Sequence, residues 1–357
     1  MKLENILKQI GPESPEGRQA AHEKWCACAK PLGGLGLLET VIEDIAALTG
    51  SAEVDLSRRA VVVFCADNGV VAEGVSQSPS SVTALVARNL SRGCTPVCRM
   101  ARTARCRVVP VDMGVMDLEP LEGVLSRRMA NGTGNIALGP AMTRQQAEQA
   151  VLVGVELVRD LKEQGFTLLA TGEAGIGNTT TATAVTCVLL GREPAELTGR
   201  GAGLSDDGLV RKTEAIRRAI ALNRPDPADP LDVLAKVGGF DIAGMCGLFL
   251  GGALYGVPVL IDGVISSAAA LCAKRLCPNA GKAMVASHLT AEPAGQLLLE
   301  ALGKKPLITA ELHLGEGTGA VAAMPLLDMA LAVYREACTF DGCGLEPYQP
   351  LGGEHKC

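Results

Sequence analysis

Short runs of apolar, largely β-branched residues alternate along this chain with longer segments of helical spacing. Val61 to Ala66 is the first such run and closes on Asp67-Asn68-Gly69. A strand buried on both faces reads this way. Val82 to Ser91 follows with helical spacing, and Val108 to Val111 predicts a second strand ending at Asp112-Met113-Gly114. Thr143 to Lys162 predicts a long amphipathic helix, with Thr143 as N-cap ahead of Gln145 and Gln146. Phe166 to Ala170 predicts a third strand, with a polar Gly-rich loop from Thr171 to Asn178 and a helix from Thr179 to Leu190. Asp206 to Leu222 predicts a helix with acids at its start and Arg217 and Arg218 near its end, as the helix dipole favours. Val257 to Ile261 and Ala283 to Ala286 predict further strands. Ser266 to Arg275, Ala291 to Leu302 and Gly319 to Ala337 predict helices.

Strands alternating with helices imply an α/β fold, a parallel sheet covered on both faces. The first 55 residues read as helices only, Pro15 to Cys28 and Leu37 to Leu48, and predict an arm or small lobe. Residues 56–300 form the expected large α/β domain, and 301–340 a loop and closing helix. The tail, 341–357, is rich in Gly and Pro and predicts a loose end.

Composition narrows the function. The net charge is -6 and only 3% of the residues are aromatic. An acidic, aromatic-poor chain lacks the basic face and stacking platforms of a broad nucleic-acid surface. Helix starts can still bind phosphate locally through backbone N–H groups. The most apolar stretch, Ile242 to Ile265, is broken at Gly and Pro and carries Asp262, so it reads as a buried helix and a strand rather than a membrane span. The opening Met1 to Pro12 carries Lys, Glu and Gln and does not read as a signal peptide. None of the 13 cysteines forms a C-x-x-C pair, and most lie in apolar stretches. They read as reduced thiols of a cytoplasmic protein. The four histidines show no metal-ligand spacing with them, so no metal is expected.

Ligands of open parallel sheets bind outside the carboxyl ends of the strands. Polar and Gly-rich segments fall at those ends here. Gly175-Ile176-Gly177-Asn178-Thr179-Thr180 opens a helix without matching either phosphate-loop motif. It reads as an anion site or as a structural turn. Gly199-Arg200-Gly201-Ala202-Gly203 precedes Lys212, which reads as a point charge for phosphate or as a solvated helix lysine. Glu316 stands between Gly315 and Gly317, which leave room for a ligand at its carboxylate. It reads as a general base or as an exposed loop acid. Glu173, after a strand, has a similar placement.

In this order the motifs resemble the nicotinate-nucleotide–dimethylbenzimidazole phosphoribosyltransferase family. The resemblance runs from Trp25 to Tyr334. It rests on Lys30 to Gly36, Ala66 to Val70, Glu73-Gly74-Val75-Ser76, Gly172 to Thr180 and Gly201 to Lys212. It continues through Gly239 to Ala243, Asp262 to Ser266, Ser287-His288 and Leu314 to Gly319.

The resemblance implies a Rossmann-like large domain, a small helical domain from both chain ends, and a dimer. It implies transfer of ribose 5-phosphate from nicotinate mononucleotide to a benzimidazole or purine base, without a cofactor. Glu316 then matches the general base and Glu173 lies beside the reacting ribose. Gly175, Gly177, Asn178 and Thr179 match the nucleotide loop, and Gly201, Gly203 and Lys212 the phosphate contacts.

Ser76, Leu85 and Ala174 match the base pocket. Leu85 stands where the family often has Gln, and Ala174 where it has Met or Leu. Ser76-Gln77-Ser78-Pro79 lacks the Tyr of the usual Ser-x-Tyr-Pro. These departures keep open a phenolic acceptor handled by a heterodimer of two such chains, and a non-catalytic partner subunit.

Overall fold

The structure is a computed structural model that describes residues 2–348. Three helices open the chain: α1 (Leu3–Gln9), α2 (Pro15–Ala27) and α3 (Leu37–Thr49). Then come β1 (Arg59–Ala66), α4 (Ser81–Ser91), α5 (Pro96–Thr103), β2 (Cys106–Gly114) and a short β3 (Leu125–Ser126). The next elements are α6 (Arg144–Glu163), β4 (Leu168–Ala174), α7 (Asn178–Leu190) and α8 (Pro194–Leu197). Next are α9 (Asp206–Asn223), α10 (Pro230–Val237), α11 (Phe240–Tyr255), β5 (Val259–Ile261) and α12 (Val264–Leu276). The chain continues through β6 (Met284–Ala286), β7 (His288–Thr290), α13 (Gly295–Leu302), β8 (Ile308–Leu312), α14 (Thr318–Glu336) and α15 (Phe340–Cys343).

The main sheet has six strands in the order β3-β2-β1-β4-β5-β6, all pairs parallel. The expected α/β class and Rossmann-like sheet are both present. The order reverses between β1 and β4, which is where such sheets bind ligands. Thr143 caps α6 as expected, with a reciprocal capping box to Gln146.

Every residue of β1 is buried, which explains its unbroken apolar run. Ala60, Val62, Phe64 and Ala66 face the helices α6, α11 and α12. Val61, Val63 and Cys65 face α3, α5 and α14. The arm therefore shares a core with the sheet. Trp25 packs its ring 4.8 Å from that of Tyr334, whose hydroxyl donates to the Ala52 carbonyl at 2.8 Å. The Ile242 to Ile265 stretch is nearly all of α11, then β5 and the start of α12. Among the described residues no helix is long and apolar enough to cross a membrane.

Three expectations change. Thr171 to Ala174 extend β4 instead of forming a loop, because the pairing with β1 runs on to Cys65↔Ala174. The helix expected from Ala291 starts at Gly295, since β7 and a turn at Pro293 come first. Cys338 and Cys343 are joined in a disulfide, so the reading of reduced thiols fails at this pair. The remaining tail beyond residue 348 lies outside the described residues.

Candidate active site

A cavity of about 220 Å³ opens beyond the carboxyl ends of β4, β5 and β6. Of the residues expected at the site, Glu173, Ala174, Gly175, Asn178, Thr179, Gly201, Gly315 and Glu316 line it. Glu173 is fixed by the sheet itself, since it pairs with Phe64 of β1. Gly175 follows, where an added Cβ would meet the Ala66 carbonyl oxygen at 2.3 Å. Only glycine lets the chain turn from β4 into α7 this close to β1.

At one end of the cavity, carboxyl groups converge. The Asn178 side-chain amide donates to Glu173 and, at 3.1 Å, to Oδ2 of Asp241. Burial and the neighbouring Asp241 push the Glu173 carboxyl up to about 8. Burial likewise raises Asp241 to about 6. Desolvation disfavours the charged carboxylate, and a second carboxylate nearby adds to that.

Glu316 sits on a strained loop. Gly315, Glu316 and Gly317 have φ of 88°, 61° and 90°. A non-glycine residue there costs on the order of 1 kcal/mol. The Glu316 Oε2 accepts the Val97 N–H at 3.1 Å, in the first turn of α5. Burial raises its pKa, and the bonds from Val97 and the Thr95 hydroxyl offset part of that. The exposed-acid reading therefore gives way to a half-buried carboxyl facing a cavity.

Behind the lining residues Thr179 and Gly201 lies a cation, outside the cavity lining itself. Lys212 is only 1% exposed, so the solvated-lysine reading fails. Its Nζ donates to Thr179 Oγ1 at 2.8 Å and to the Gly199 carbonyl at 3.0 Å. Burial lowers its pKa to about 8. Gly201 lies over it, with room for a Cβ only 3.0 Å from Thr179 Oγ1 and 3.6 Å from Nζ.

The other expected residues lie outside the cavity lining. Gly177 packs on Asn68 and Val71, and Gly317 on Val61 and Thr171. Gly203 lies beside Gln77. Ser76 accepts the N–H of Ser78 in its own turn. Leu85 is 52% exposed, while Thr83 and Val86 of the same helix reach the cavity. Successive helical residues point about 100° apart, so a neighbour in sequence faces another way.

Comparison with known proteins bears on this geometry. A family model described as Phosphoribosyltransferase matches residues 10–345, which include every cavity-lining residue. The chain belongs to this phosphoribosyltransferase family. A relative in Ruminiclostridium cellulolyticum, named nicotinate-nucleotide–dimethylbenzimidazole phosphoribosyltransferase, is 46% identical over 98% of this chain and 100% of its own length. A relative of the same name in Escherichia coli is 44% identical over 93% of both. The crystal structure of CobT from Thermus thermophilus superposes with a TM-score of 0.88 at 43% identity. That match covers 93% of this chain and 99% of the other.

The phosphoribosyltransferase also has site residues to which the motif reading assigns no role. Asp262 lines the cavity from the end of β5 and His288 from the start of β7, and Asp241 backs it from the start of α11. Asp262 and Asp241 carried a signal: each is an acid within two residues of a glycine at the edge of a long apolar run. His288 was marked only as part of the Ser287-His288 motif, and a lone His beside a Ser has no local pattern that assigns it a role. Among the described residues no group of three or more His, Cys, Asp or Glu could hold a metal ion.

Proposed function

We propose that this phosphoribosyltransferase moves the ribose 5-phosphate of nicotinate mononucleotide to a benzimidazole or purine base. The products are an α-riboside 5′-phosphate and free nicotinate, a step in building the lower ligand of cobamides. The names of its close relatives support the reaction class. The observation that carries the reading is the half-buried Glu316 carboxyl facing a cavity whose lining residue Thr179 is bonded from behind by the buried Lys212 ammonium.

In this reading Lys212, with Thr179 and the backbone at Gly201 and Gly175, takes the phosphate. Glu316 takes the proton from one ring nitrogen of the acceptor base. The other nitrogen attacks C1′ on the face opposite nicotinate. The C1′–N bond breaks, its electron pair returns to the pyridinium nitrogen, and the configuration inverts. The pyridinium leaves without help, so positioning and one proton transfer carry the catalysis. Glu173 lies beside the ribose, where the positive charge gathered at C1′ favours its ionised form. The assembly is a homodimer, or a heterodimer with a paralogue. The setting is the cytoplasm, a reading supported by the nine free cysteines among the described residues.

Incubating the purified chain with nicotinate mononucleotide and benzimidazole, purine and phenol acceptors tests this reading. Riboside is expected from a nitrogen base, and no riboside from any acceptor refutes it. Glu316→Gln is expected to keep the fold and lower kcat by about 10²–10⁴-fold, the usual contribution of a general base. In the parent, kcat/KM falls as pH drops through the raised Glu316 pKa, because the base must be ionised.

A further inference from the structure

The loop that carries Glu316 is closed by Thr318, whose N–H and hydroxyl donate to the Gly315 carbonyl at 3.0 and 2.8 Å, but it has no side chain of its own to cap the helix that follows. Gly317 is the N-cap position of α14 and offers no side chain to the first-turn N–H groups. No Ser, Thr or Asp can replace it. Its φ is 90°, and an added Cβ would meet Val61 Cγ2 at 2.5 Å and the Thr171 carbonyl oxygen at 3.0 Å. The cap has to come from elsewhere in the fold.

Asp262, at the end of β5, supplies it. Its Oδ2 accepts the Gly317 N–H at 3.2 Å and its Oδ1 accepts the Ala320 N–H at 2.9 Å. The side chain is 3% exposed and its own N–H is held by Ser266 Oγ at 3.0 Å. On the other side of the same turn, the His288 ring fills the space beside Gly319, where a Cβ would lie 2.1 Å from Nδ1. Both oxygens are thus spent on the two N–H groups that bracket the start of α14. A buried carboxylate is costly to desolvate and is retained where its bonds do something specific.

We propose that Asp262 is a positioning residue that sets Glu316 at the acceptor base by capping α14 from β5. The inference rests on Glu316 being the general base. Asparagine at 262 keeps one acceptor oxygen and turns an amide N–H against the second backbone N–H, which displaces the loop. A shift of about 1 Å at a reacting group costs on the order of 10²-fold.

A double-variant cycle tests this, with kcat and KM measured for the full chain. Asp262→Asn is expected to lower kcat by about 10²-fold and to leave KM for nicotinate mononucleotide within about twofold, because Lys212 is untouched. In the Glu316→Gln background the same change is expected to cost less than about twofold more. Unchanged kcat for Asp262→Asn overturns the proposal, and so does an equal loss in both backgrounds, which assigns a merely structural role. Near-normal turnover of Glu316→Gln alone removes the base reading and this proposal with it. If Asp262→Asn does not fold by circular dichroism, Asp262→Ser, which keeps an acceptor without an opposing N–H, carries the same cycle. Failure of both variants to fold assigns Asp262 to folding and overturns the proposal.

Discussion

The lysine behind the cavity and the carboxyls beside it pose opposite electrostatic problems. At the Lys212 end one cation is buried among neutral acceptors, Thr179 Oγ1 and the Gly199 carbonyl. At the Glu173 end two carboxyls, Glu173 and Asp241, share a single amide from Asn178. The lysine is pushed down to about 8 and Glu173 up to about 8. Neither Lys212 nor Glu173 makes an ion pair among the described residues, although Glu292 acts on Lys212 through space. A ligand with an anionic phosphate at one end and a positively charged ring at the other relieves both. The cavity is therefore charged in the order of its proposed substrate, and a neutral or reversed ligand gains neither benefit.

Removing the cation is the strongest way to break this contrast. Lys212→Met is expected to raise KM for nicotinate mononucleotide by about 10- to 100-fold with little change in kcat, the size of a lost charge-assisted bond. Steady-state kinetics checks it, and an equal fall in kcat would place the lysine at the chemistry instead. Titration sharpens the same end. The ammonium of the free enzyme is lost as pH rises through about 8. The parent kcat/KM should fall above that pH, by up to about tenfold per unit. The Lys212→Met variant should lack that limb.

The carboxyl end responds in stability. The folded pKa of Glu173 is raised from its ordinary 4.5 to about 8. The folded state then holds the extra proton, so stability is fully present below pH 4.5 and declines as pH rises to about 8. Glu173→Gln abolishes this decline. Its melting temperature should exceed the parent's at pH 8 by more than at pH 4.5, while turnover falls. A gain that does not vary with pH would refute the buried-acid account. The smallest effect belongs to a residue outside the cavity. Leu85→Ala should change stability by less than about 0.5 kcal/mol and leave KM for the acceptor base unaltered, because the side chain is 52% exposed.

The sequence was most legible where period and chemistry coincided. The apolar run of β1, the capping box at Thr143 and the Gly-flanked Glu316 each declare themselves locally. The glycines were legible only in part. Those at strand ends match the cavity, but others serve helix packing. An added Cβ on Gly247 of α11 would meet the Val151 carbonyl oxygen of α6 at 1.8 Å. No pattern along the chain separates that use from a ligand loop. Strand ends were also misjudged at Thr171 to Ala174, because a small polar segment reads as loop until its pairing with β1 is known.

By itself the sequence determined the alternation of strand and helix, the motif order and the residue types that carry charge. These depend on local spacing and on chemistry that each side chain brings with it. Only the tertiary structure decided which charges lose water. Lys212 and Asp262 are ordinary polar positions in sequence, one on a helix face and one after a strand. Their burial, and the caps and bonds it forces, comes from segments 13 to 58 residues away that close over them. Desolvation is a property of the assembled surroundings, so no residue carries it alone.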